Sequence, residues 1–157
     1  DNNFSSTLQD ILHYLHSQKN IEWHLINLAA KKNKISREIF RTHDYSLVRA
    51  YYFPIRGVGL VWSRQGAHDF LKMAQNPCLP VDIFFQNWLI KNGKGLSIWP
   101  PLVRPAGLDS DILGTVATER VRRKQKENRD FSFFMKKQLR LLKNNILAYI
   151  NFLSFKS

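Results

Sequence analysis

Gly57-Val-Gly-Leu-Val-Trp-Ser-Arg-Gln-Gly-Ala-His-Asp-Phe-Leu71 changes periodicity at Ser63. Up to Trp62 the run is short, rich in β-branched and aromatic residues and set off by Pro54 and Gly57, which predicts a strand. Beyond Ser63, the residues Ala67, Phe70, Leu71 and Ala74 share one helical face, Ser63 can cap that helix, and Asn76-Pro77 ends it. A strand that passes into a helix across one capping residue is a building unit of an α/β layer fold.

The same alternation extends outward on both sides. Phe4, Leu8, Ile11, Leu12 and Leu15 lie on one face of a predicted helix, with Ser6 and Gln9 as a capping box. Residues 21–28 alternate well enough for a strand, and 29–41 are basic and weakly patterned, which predicts a surface connection. Residues 47–53 predict a second strand joined to 57–62 by a turn. Downstream, Asp82 is placed to cap a helix over 83–91 that stops at Asn92-Gly93. A strand over 96–99 then meets Pro100-Pro101. The expected fold class is α/β.

The chain has 157 residues, 24 Lys+Arg against 12 Asp+Glu, and a net charge of +12. With 44% hydrophobic residues it has enough apolar surface to offset chain entropy, which argues against wholesale disorder. The single cysteine, Cys78, excludes an internal disulfide and a cysteine-rich zinc site, and a reducing compartment fits best. No run of 18 apolar residues is present, and the opening residues are neither basic nor apolar enough for a signal peptide.

The charge is concentrated at one end. Residues 1–113 hold 13 Lys+Arg against 9 Asp+Glu, a net of +4, whereas residues 114–157 hold 11 against 3, a net of +8. Within the second part, 119–129 is a basic run containing Arg122 and Arg123, followed by one long predicted amphipathic helix. Phe131, Met135, Leu139, Leu142, Ile146, Ile150 and Leu153 recur at steps of three and four, with Lys136, Lys137, Arg140 and Lys143 in the first half. Such a helix suits an anionic membrane surface, with these six cations as its contacts; the alternative is a terminal helix packed on the domain's own core. Residues 1–113 are expected to form one domain and 114–157 a basic helical tail.

Several familiar chemistries fail on spacing. Gly57-Val-Gly59 and Gly93-Lys-Gly95 continue to neither a third glycine nor a Gly-Lys-Ser/Thr, so they read as turns. Ser63, His68 and Asp69 lack a G-x-S-x-G elbow, which argues against a serine hydrolase. His13, His16, His24 and His43 match no zinc spacing and read as ordinary surface or core histidines. Asp82, two residues after the rigid Pro80, is either a helix cap or a carboxylate held for chemistry. Asp109-Ser-Asp111 is a weak divalent-metal pattern.

Three segments in order resemble glycosyltransferase family 25. Residues 58–71 resemble its strand that ends in a serine before a Gly-Ala opens a helix. Leu79-Pro-Val-Asp82 resembles its Pro-Val-Asp, and Trp99-Pro-Pro-Leu-Val103 with Ser110-Asp-Ile112 resembles its next strand, proline pair and Ser-Asp-Ile. The resemblance implies a GT-A-like α/β fold and transfer of galactose or glucose from a UDP-sugar to lipooligosaccharide or lipopolysaccharide. It also implies work at the cytoplasmic face of a bacterial inner membrane. By resemblance, Asp82 is a general base on the acceptor hydroxyl, and Ser63, Arg64, Gly66, Ala67 and Pro80 line the substrate cleft. Arg64 would meet a phosphate or acidic acceptor.

One departure from the family pattern is large. The acidic motif that holds a divalent metal, manganese or magnesium, on the donor pyrophosphate is not visible in this chain. Residues 1–4 with the helix that follows resemble the stretch just downstream of it, so the chain is expected to be a C-terminal piece with its metal ligands upstream of Asp1, impaired when isolated. The rival classes are a basic nucleic-acid-binding module and a non-catalytic membrane-surface adaptor. Nucleic acid is disfavoured because no recognised motif is present and the aromatics fall on apolar faces.

Overall fold

The fold was determined as a computed structural model that describes residues 2–42, 44–75, 79–104 and 131–154. In chain order the elements are α1 (Asn2–Ser17), β1 (Leu25–Asn27), β2 (Ser36–Thr42), β3 (Tyr45–Ala50), β4 (Leu60–Trp62), α2 (Arg64–Met73), α3 (Val81–Asn92), β5 (Gly95–Trp99) and α4 (Phe131–Ser154). The strands form one mixed sheet of order β2-β3-β5-β1-β4, in which only β1 and β5 run parallel. Backbone contacts divide the chain into two units, residues 1–104 with 144–157 and residues 105–143, and α4 runs through the boundary.

β1 and β5 lie inside the sheet and are covered on both faces, as parallel strands require. The pleat sends Leu25 of β1 into a cluster with Tyr51, Phe53, Phe85, Trp88, Leu89 and Ala148. The next residue, Ile26, joins Ile11, Leu15, Leu47, Leu96 and Ile98 on the other side. So α1 covers one face, while α3 and the end of α4 cover the other. Gly95 is required for that second layer, because a methyl group there would stand 2.5 Å from Phe53 Cδ2.

The α/β class expected from the alternation is observed, and several local expectations are corrected. α1 starts at Asn2, so Ser6 and Gln9 lie inside the helix rather than at a capping box. Of the expected 21–28 strand, Leu25–Asn27 forms β1. The expected connection over 29–41 contains β2, an edge strand carrying Arg37 and Arg41. Charge on a strand paired on one side only is a common guard against edge association, and a register shift between Glu38 and Phe40 breaks the alternation that would have revealed it.

β3 and β4 are not a hairpin. β3 pairs with β2 and β5, and β4 forms the opposite edge against β1. The chain leaves the sheet after Ala50 because Tyr51, Tyr52 and Phe53 are buried as core side chains. Asp82 is not the cap of α3 either; Pro80 occupies that position without a side-chain bond, and Asp82 Oδ1 accepts from its neighbour Ile83 N at 2.8 Å. The helix ends as expected at Gly93, whose φ of 66° suits glycine.

A candidate binding cleft around His24 and Asp69

Two adjacent strand ends build the site. Antiparallel pairing of β1 with β4 brings Ser63 to residue 24, where Ser63 N donates to His24 O at 3.0 Å. Ser63 Oγ donates to Trp23 O at 2.7 Å and accepts from Gly66 N at 2.9 Å, capping α2. Its hydroxyl is thereby engaged twice in holding the junction, which is the work of a cap and not of a nucleophile. Gly66 lets α2 begin against β1, since a Cβ there would fall 2.2 Å from the His24 carbonyl oxygen.

The imidazole of His24 closes the floor, with 6% of its side chain exposed. It stacks on Trp88 at a ring separation of 5.0 Å. Asn92 Nδ2 stands 3.3 Å from Nδ1, and with the amide donating there the ring proton belongs on Nε2. Nε2 lies 3.5 Å from Asp69 Oδ2 yet has no hydrogen-bond partner among the described residues. Burial, followed by the charge of Lys94, pushes the imidazole below its ordinary value against the opposing pull of Asp69 and Glu22, so the neutral form is favoured.

Asp69 reaches the site from α2. Gln65, four residues earlier on the same helical face, donates to Asp69 Oδ1 at 2.8 Å, and this bond is the main reason that the carboxyl is held low. On the opposite rim Lys94 Nζ pairs with Glu22 Oε2 at 2.7 Å. That bond is also the leading cause of the lowered Glu22 carboxyl. Ile21, Glu22, Trp23, His24, Ser63, Gln65, Asp69 and Lys94 together line an open cleft of about 500 Å³.

The cleft thus offers two carboxylates, a primary amide, an ammonium and a buried imidazole N–H. Such convergent polar and charged groups can hold a polar ligand in one orientation. A metal is less well served: among the described residues no group of three His, Cys, Asp or Glu converges to hold one.

Of the residues singled out from sequence, Ser63 lines the cleft and Gly66 is buried behind it. Arg64 is exposed and Ala67 half-buried in the first turn of α2. Pro80 and Asp82 stand at the start of α3, outside the residues that line this cleft. Lys136, Lys137, Arg140 and Lys143 are on α4, while Arg122, Arg123 and Asp109-Ser-Asp111 lie outside the described residues. His24, Glu22 and Lys94 were not anticipated as site residues. The Gln65/Asp69 spacing of four was a readable sign, whereas His24 acquires its neighbours only through strand pairing.

No family model, no curated protein and no solved structure matches this chain.

Proposed function

We propose that this chain supplies the acceptor-binding side of a hexosyltransferase that takes a UDP-hexose donor and a lipooligosaccharide or lipopolysaccharide acceptor, working at the cytoplasmic face of a bacterial inner membrane. One observation carries the reading. The strand–serine–Gly-Ala–helix segment on which the family resemblance rests borders the cleft, and the cleft has the side chains that a saccharide needs. The hydroxyls of a pyranose would be held there by Gln65, Asp69 and Glu22. The resemblance gives the general-base role to Asp82, which stands at the start of α3 outside this cleft, so the cleft is assigned saccharide binding and not the proton transfer.

The test is a titration of the purified chain with delipidated lipooligosaccharide core oligosaccharide, followed by NMR of the Trp23 indole and Gln65 amide. Both signals are expected to move, and Gln65→Ala to weaken binding by roughly fivefold, the scale of losing one hydrogen bond. An oligosaccharide that leaves both signals unmoved at millimolar concentration would refute the assignment. The probe carries no lipid, so the result is independent of any membrane affinity.

A further inference from the structure

The second half of α4 has two apolar faces, and the domain covers only one. In its second half Asn144 and Ala148 are buried, and Leu147 and Phe152 pack on the core cluster that contains Trp88 and Leu89. Asn144 Nδ2 donates to Asn87 Oδ1 at 2.9 Å, and Asn151 Nδ2 donates to Ile90 O at 2.6 Å. At about 100° per residue these side chains share one side of the helix. Ile146, Tyr149, Ile150 and Leu153 lie about half a turn away, and the same line continues along the helix through Leu142 and Leu139. All six are between 51% and 65% exposed. This is the periodic stripe noted in the sequence, and from Ile146 to Leu153 it points away from the core.

The charge of the helix indicates what covers the stripe. α4 carries Lys136, Lys137, Arg140 and Lys143 and no acidic residue, on a chain of net charge +12. A second copy would bring like charge against like charge. An anionic bilayer supplies both an apolar slab and negative headgroups. Among the described residues no helix is long and apolar enough to cross a membrane, so α4 would lie along the surface.

Helical geometry then sorts the cations. With the stripe facing the bilayer, Lys136 and Lys143 fall about a quarter turn to one side, Arg140 is further round, and Lys137 is on the far side. A lysine at the flank can extend its stem along the apolar surface and deliver its ammonium to a headgroup; one on the far side cannot. We propose that α4 seats on an anionic lipid surface through Leu139, Leu142, Ile146, Ile150 and Leu153, with Lys136 and Lys143 as the headgroup contacts and Lys137 as a bystander. The proposal rests on α4 alone and is separate from the saccharide reading.

The experiment is co-sedimentation of the full chain with vesicles of phosphatidylcholine alone or with about a third phosphatidylglycerol, at low and high salt. Binding is expected only to the anionic vesicles and to weaken with salt. Lys136→Gln and Lys143→Gln should each reduce affinity roughly fivefold, Lys137→Gln should leave it unchanged, and Leu142→Ser with Ile146→Ser should abolish it. Thermal unfolding of each variant checks that the fold persists, as substitution of exposed side chains should allow. Equal binding to neutral vesicles, equal losses for Lys137 and Lys136, or no vesicle binding would overturn the proposal. So would a stable dimer that the serine variants dissociate, or duplex DNA binding that survives those serine changes in place of lipid binding.

Discussion

At residue 66 a hydrogen atom in place of a methyl group decides whether α2 can start where β1 enters the sheet. The atoms that a Cβ would meet are the carbonyl oxygen, Cα and carbonyl carbon of His24, at 2.2, 2.5 and 2.7 Å. Backbone cannot rotate aside as a side chain can, so Gly66→Ala should cost about 3 kcal/mol, read as a lower urea midpoint at unchanged slope. His24 predicts a pH dependence. Its folded value lies below the ordinary 6.5 because burial penalises the imidazolium, so in that window the unfolded chain binds a proton that the folded chain does not. Stability should therefore fall as pH drops below about 6.5, and His24→Gln should remove that part of the slope in urea midpoints measured between pH 5 and 7.5. None of this is legible at residue 24 itself, a histidine with no metal or catalytic spacing. Its role comes from residues roughly 40 to 70 positions later in the chain.

At the scale of elements, local signals located most helices. Ser63 is the cap foreseen from sequence, and Ser63→Ala should lower stability by about 1 kcal/mol through the lost cap bond, with a further loss from the unpaired Trp23 carbonyl. Gly93 ends α3 in the left-handed region, so Gly93→Ala should cost about 1–2 kcal/mol in the same unfolding assay. Strands were less legible. β2 was hidden by a bulge and by the arginines of an edge, and β1 is three residues long. The pairing partners of β3 and β4 could not be read from their own residues, because hydrophobic alternation reports that a face is buried and does not specify against which strand. Asp82 illustrates the same limit on a helix: an acidic residue one position inside the start looks like a cap in sequence, while Pro80 is the cap in space.

Across the whole molecule, the end of α4 completes the layer over α3. Phe152 meets Tyr51 edge-on at a ring separation of 5.5 Å and lies under Arg37, 5.0 Å from its guanidinium carbon. Phe152→Ala should thus lower stability by about 2–3 kcal/mol, toward the low end for phenylalanine because the ring is half-buried; calorimetry of the full chain measures it. A loss below a few tenths would mean that this end of the helix contributes nothing to the fold. The sequence by itself determined the α/β class, the helix over residues 131–154 with its apolar stripe, and the +12 charge gathered toward one end, because composition and periodicity are local properties of the chain. Only the tertiary structure decided the strand order β2-β3-β5-β1-β4, the meeting of His24 with Asp69, and which face of α4 the core claims. Those depend on contacts between residues far apart in sequence. An apolar face will pack on any surface of suitable shape, and the choice is made by the competition among all such surfaces at once.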